Sequence, residues 1–194
     1  MFFTRSWALV IAALIVVGFL FQSGAGDAPT QAALGQDAAG KLKPKSKDTS
    51  PQHKAEALGI KFEKLEPKYL NSCVKAGKLL FTSGHTSKIK GRLGKDLTVE
   101  EGYKAARESA VEVLRAVWNR HGTLDGLRVV KVLGCVNSDP SFIDQPKVVN
   151  GCSDLLHEIF GAKADGWHAR SALGFASLPN GCAVEVEAIF EIKE

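Results

Sequence analysis

The stretch CAVEVEAIFEIK, residues 182–193, alternates apolar and acidic side chains. Successive residues of a strand point to opposite faces. Val184, Val186, Ala188, Phe190 and Ile192 therefore share one face, and Glu185, Glu187, Ile189 and Glu191 share the other. A strand with one apolar face needs a second layer to cover it.

Two upstream segments have the spacing to form that layer. Thr98 followed by Glu101 makes a capping box, in which hydroxyl and carboxylate satisfy the orphan donors of a helix start. Behind it Val99, Tyr103, Ala106, Ala110, Val113, Leu114 and Val117 recur at helical spacing, with Gly122 placed to end a helix of about six turns. A second helix is expected from near Pro146 to near Gly161, with Val148, Val149, Cys152, Leu155, Leu156, Ile159 and Phe160 on one broad apolar face.

Between the helices, LRVVKVLGCVNS (127–138) is rich in branched residues and suits a central strand. SCVKAG and LLFTSGH flank Gly77-Lys78 and predict a strand pair, while ARSALGFASL, the turn PNG and the final strand predict a hairpin. The resulting order is β-β-α-β-α-β-β, an α+β two-layer sandwich with both helices on one side of the sheet. The other sheet face, with Thr82, Glu185, Ile189 and parts of VVKVLGCV, mixes apolar and polar groups. It is expected to meet further copies of the chain, sheets turned inward.

The N-terminal part has a different composition. Arg5 precedes an apolar run from Trp7 to Phe21, and QSGAGDA follows with small residues at Ser23 and Ala25. Residues 1–25 thus read as a signal peptide or membrane anchor. Residues 26–53 are poor in aromatic and branched side chains and read as a flexible linker, leaving 54–194 as the folded domain. An exported or membrane-anchored protein follows, touching membrane only through that N-terminal segment.

Charge narrows the partners. The first 53 residues hold 5 basic and 3 acidic side chains, so 20 basic and 18 acidic remain for the domain. A near-neutral surface of interspersed signs has no footprint for a phosphate backbone, which argues against nucleic acid. Cys73, Cys135, Cys152 and Cys182 are far apart within apolar segments and are read as free buried thiols in preference to disulfides, which an exported location would permit, and the five histidines show no metal-ligand spacing. No metal and no cofactor are expected.

The segment HARSALGFASLPNGCAVEVEAIFEI closely resembles the C-terminal signature of the Rid/YjgF family, reactive-intermediate deaminases also labelled endoribonuclease L-PSP. Ala169-Arg170-Ser171, Leu178-Pro179 and Glu185-Val186-Glu187-Ala188-Ile189 stand at that family's spacing. AGKLLFTSGH is similar to its G-N-x-x-x-x-S-G-Q, and VVNGCSDLLHEIFG to its V-N-x-x-Y-x-x-F-F, so the resemblance covers roughly residues 69 to 193. It implies a chorismate-mutase-like fold, a homotrimer with ligand clefts between subunits, and hydrolysis of 2-imino and enamine acids to 2-keto acids and ammonia.

Residue by residue, the resemblance makes Arg170 the grip on a substrate carboxylate and Glu185 the group that orients or activates water, the two catalytic positions. A guanidinium stays charged and offers paired donors to a carboxylate, and a carboxylate beside an imine carbon can act as general base. Ser83, Gly84, Tyr69 and Asn150 match residues lining the cleft. Ala172 stands where many imine-hydrolysing members carry cysteine. His168 stands where proline is usual and shares the strand face of Arg170, as a replacement acid or base or as a loop-bonding residue. A structural alternative for Arg170 is an edge ion pair with Glu187. The lost thiol keeps a second function open, a non-catalytic module that binds small carboxylates; an endoribonuclease has only the family label behind it.

Overall fold

A computed structural model describes residues 48–194. The expected signal or anchor segment, 1–25, and most of the expected linker lie outside the described residues. The linker's last residues do not: Ser50 caps helix α1 (Pro51–Ala57) by accepting from the His53 N–H, and Pro51 supplies the first turn. The folded part therefore begins at least three residues before position 54. Gln52 ties α1 down: its side-chain Oε1 accepts from the Leu124 N–H, and its backbone N–H donates to Asp125 Oδ1.

Strands β1 (Cys73–Ala76) and β2 (Leu79–Thr82) form the expected antiparallel pair, and a two-residue strand β3 (His85–Thr86) follows. Helix α2 (Val99–His121) starts with the reciprocal Thr98–Glu101 box and stops at Gly122, whose left-handed backbone (φ 92°) donates back to Trp118. Strand β4 (Leu127–Asn137), helix α3 (Gln145–Phe160), β5 (Ala169–Phe175) and β6 (Val184–Ile192) complete the order. The architecture is the α+β two-layer sandwich expected, with α2 and α3 over one sheet face.

The two helices approach closely where side chains are absent. A Cβ on Gly151 would lie 2.0 Å from the backbone oxygen of Tyr103, so only glycine fits there. Val113, Leu114, Val117, Leu155, Leu156 and Ile159 then fill the layer between the helices and Val129, Val132, Val184, Val186 and Phe190 of the sheet, all fully buried. An irregularity between Val129 and Lys131 shifts the alternation of β4, so that Val129 and Val132 both face the helices.

One expectation is corrected. The sheet order is β1-β2-β6-β4-β5, with β4 and β5 parallel and β6 antiparallel between β2 and β4. The segments either side of PNG are therefore not a hairpin; they flank β4 on opposite edges. A parallel neighbour needs a crossover, and α3 provides it. The connection from Phe175 to Val184 is also too long for a tight hairpin loop. It passes over the end of β4, where the Ser138 N–H donates to Phe175 and the Asn137 N–H to Ala183. Pro179–Gly181 make one turn of that crossing, with Asn180 at φ 54°.

Among the described residues no helix is long and apolar enough to cross a membrane. All four thiols are free, with Cys73, Cys152 and Cys182 buried.

Candidate functional site

Arg170 opens β5 opposite Val132, and Ala172 lies opposite Gly134. Val132 is fully buried, and a Cβ on Gly134 would strike Val149 of α3, so this face of β5 looks toward the helix. The Arg170 guanidinium accordingly reaches α3: Nη1 donates to Asn150 Oδ1 at 2.8 Å and to Ser153 Oγ at 3.1 Å. Both partners are neutral. Among the described residues Arg170 forms no ion pair, with Glu187 or any other carboxylate.

The chain of bonds continues in a fixed direction. Ser153 Oγ also lies 3.0 Å from His168 Nε2, and His168 Nδ1 lies 2.6 Å from the Gly166 carbonyl. A carbonyl only accepts, so Nδ1 carries the proton, Nε2 accepts, and the Ser153 hydroxyl donates to it. That frees the Ser153 lone pairs for Arg170. Burial pushes the His168 pKa down, with smaller contributions of the same sign from His157, Arg170 and Lys131 and an opposing one from the Gly166 bond. His168 is thus a neutral group that bonds its loop and positions Ser153 and, through it, Arg170.

Asn150, Ser153, Asp154 and His157 stand at i, i+3, i+4 and i+7 along α3, one helix face. With Trp167, His168 and Arg170 they line a cavity of about 330 Å³. The turn Gly161–Asp165 brings Trp167 over this face, and Gly166 is the residue that lets it close, since a Cβ there would lie 2.8 Å from both the Gly161 and Leu156 carbonyls. Tyr103 donates to Asp154 at 2.9 Å on the outer rim.

The remaining expected site residues gather elsewhere. Glu185 lies opposite Cys135 on β4 and Thr86 on β3. Its neighbours Val184 and Val186 are buried against the helices, so its side chain points to the opposite sheet face from that of Arg170. The carboxyl lies over Gly84, where a Cβ would come 1.8 Å from Oε1. Burial first, and the Glu187 charge second, push the Glu185 pKa up. Ser83 Oγ donates to the Asn71 carbonyl, its N–H donates to Ser72, and Tyr69 is 98% exposed in the segment leading to them.

One chain therefore holds two groups. Arg170, Asn150, His168 and Ala172 belong to the α3 side of β5; Glu185, Gly84 and Ser83, with the segment from Tyr69, belong to the region where β2 and β3 meet β6. Within one chain Arg170 and Glu185 do not converge. Their strands are also separated by β4, roughly 10 Å across the sheet. No thiol replaces the one missing at Ala172: Cys152 is fully buried near Arg170 and burial pushes it up to about 12, and Cys135 is raised to about 11. Among the described residues no cluster of His, Cys, Asp and Glu could hold a metal ion.

Ser153, Asp154, His157 and Trp167 were not expected from the sequence. The signal was available in the helix spacing from Asn150, which puts three further polar residues beside it.

Fold and site together define a two-layer α+β protein with an arginine-based polar cavity at the sheet edge. Comparison with known proteins supplies the family. The YjgF/chorismate mutase-like model, which carries an endoribonuclease label, matches residues 62–188. Protein TCP17 of Trypanosoma cruzi is 44% identical over 144 residues, covering 70% of this chain and 89% of that protein. The crystal structure of Atu1372 from Agrobacterium tumefaciens, of unknown function, is 34% identical with a TM-score of 0.66, covering 74% of this chain and 94% of its own. A Shewanella oneidensis structure with an endoribonuclease label is 29% identical with a TM-score of 0.66, covering 73% and 99%. The chain belongs to the YjgF/chorismate mutase-like family.

Proposed function

We propose that this protein hydrolyses small 2-imino and enamine acids to 2-keto acids and ammonia, as an exported or membrane-anchored homotrimer with its sheets facing inward. The supporting observation is the Arg170 guanidinium: held by two neutral acceptors, lining a cavity, and without a carboxylate partner among the described residues. Such a group is an anion site, and a planar carboxylate matches its fork.

The chemistry asks little of the protein beyond position. Water adds to the C=N carbon, the nitrogen takes a proton, and the tetrahedral adduct expels ammonia to leave the ketone. Glu185 is suited to take the proton from water, because its raised pKa brings it nearer the working range of a general base. Since Arg170 and Glu185 occupy opposite faces of one sheet, a site using both joins two copies, with Arg170 from one and Glu185, Gly84 and Ser83 from its neighbour.

Ammonia release from freshly generated 2-imino acids, followed by a coupled assay, is expected to fall at least 100-fold in Arg170→Ala, the loss of a charge-assisted anchor, while the oligomer persists. Equal rates in the two proteins remove the proposal. Ala172, and the absence of an accessible thiol near Arg170, favour one alternative: a non-catalytic module that binds small carboxylates. Arg170-dependent binding of 2-keto acids without imine turnover would identify it.

A further inference from the structure

The cavity beside Arg170 has a wall that carboxylate binding does not use. Trp167 is 61% exposed, yet it is not loosely held. His157 stacks on it at a centroid distance of 6.2 Å and an interplanar angle of 20°, and His157 in turn meets His168 at 5.5 Å. His168 is fixed by its bonds to Gly166 and Ser153. The Trp167 backbone N–H donates to the Ala164 carbonyl at 3.0 Å, and the turn beneath it packs so closely on α3 that a Cβ on Gly166 would lie 2.8 Å from the Leu156 carbonyl. Three rings thus form a continuous, preorganised wall ending in an indole that is largely open to water.

We infer that this wall is the side-chain subsite of the Arg170 pocket and selects 2-imino and 2-keto acids bearing a planar aromatic side chain. The inference rests on the proposed function, whose carboxylate anchor it takes as its reference point. Four observations carry it. The wall and the guanidinium line the same cavity of about 330 Å³, a volume suited to a ligand larger than the smallest keto acids. An exposed indole gains by covering its face with another ring, in offset or edge-to-face contact. The rings already stack on one another, with His168 held by two hydrogen bonds, so less ordering cost falls on binding. The Asp154 carboxylate on the same lining disfavours a second acidic group on the ligand.

Calorimetry on the full chain with four probes tests this: phenylpyruvate, 2-oxobutyrate, 2-oxoglutarate and the 2-oxo acid of arginine. Phenylpyruvate is expected to bind at least about tenfold tighter than each of the others. Trp167→Leu is expected to remove that advantage while leaving the 2-oxobutyrate affinity within about twofold, and Trp167→Phe to retain most of it. Arg170→Ala is expected to weaken all four. Tightest binding of the aliphatic or cationic acid, or an aromatic advantage that survives in Trp167→Leu, overturns the inference and leaves the carboxylate site standing. Failure of the wild-type protein to bind any of the four overturns both. Retained 2-oxobutyrate binding shows that Trp167→Leu is folded, and Trp167→Phe, which keeps an aromatic ring, separates loss of the ring from any change at position 167.

Discussion

Ser153 is the hinge of the site's hydrogen bonding: one oxygen accepts from Arg170 and donates to His168. Ser153→Ala leaves Nε2 of His168 without its donor and Arg170 with one partner instead of two. A bond worth about 1 kcal/mol predicts roughly a fivefold weaker carboxylate affinity at neutral pH, read by titration with a 2-keto acid. The pH dependence follows from the His168 tautomer. Its folded-state pKa lies below the ordinary value of 6.5, so the unfolded chain protonates first as pH falls. This residue's contribution to stability is complete above about 6.5 and is lost beneath it, through the window down to the folded pKa. Within that window the folded ring begins to take its proton, Nε2 turns from acceptor to donor, and a second cation faces Arg170 beside His157 and Lys131. Carboxylate affinity in the wild-type protein is therefore expected to show an added acid limb that His168→Gln lacks. A pH profile identical in the two proteins would deny His168 its positioning role. Arg170 and Asn150 were legible because their residue types sit in recognisable motifs. Ser153 and Trp167 were not, because their roles come from the turn that folds residue 167 back over residue 157, a contact no local pattern encodes.

At the scale of elements, the helices were legible to within a residue or two because their ends are written in local chemistry, a capping box at Thr98 and a glycine at position 122. Strand neighbours were not. Alternation fixes which face of β6 is buried, but it cannot say whether β5 or β4 lies beside it, since that choice is made by the α3 crossover and by the loop over the end of β4. Helix α1 was hidden for a different reason: seven residues hold no apolar stripe, and its order comes from Ser50, Pro51 and the contacts of Gln52 with the loop before β4. The α2–α3 layer depends on an absent side chain. Gly151→Ala places a methyl 2.0 Å from the Tyr103 carbonyl, and backbone on both sides leaves it nowhere to go. Its unfolding free energy is expected to drop by about 3 kcal/mol in denaturant titration. Gly126→Ala is a useful contrast, because space there is open and only the left-handed backbone (φ 71°) resists. Its loss should be near 1 kcal/mol. Equal losses in the two would mean that the helices separate easily and that their contact does not fix the Asn150–His157 face.

Among the described residues, Arg170 on the helix side of β5 and Glu185 on the bare side of β6 both stand without an ion-pair partner. That bare face also carries exposed Val74, Phe81, Leu173 and Phe175, and a second cavity of about 370 Å³ bordered by Phe81, Lys131, Leu133, Ser171 and Glu187. Apolar surface of this extent beside unpaired charge suits contact with further copies, and a closed ring brings the same two patches together at every junction. The proposed trimer then makes a prediction that a one-chain site cannot. Arg170→Ala and Glu185→Gln are each expected to be inactive in imine hydrolysis. Co-expressed at equal levels and purified through a tag on each, they assemble mixed rings in which some junctions receive an intact arginine from one copy and an intact glutamate from the next. A three-membered ring that holds both variants has one intact junction in three, so about a third of wild-type turnover should return. If both residues served the same copy, every site would carry one lesion or the other and nothing would return. Recovery in mixed rings, checked against separately purified variants combined only after assembly, thus tests the two-copy site directly.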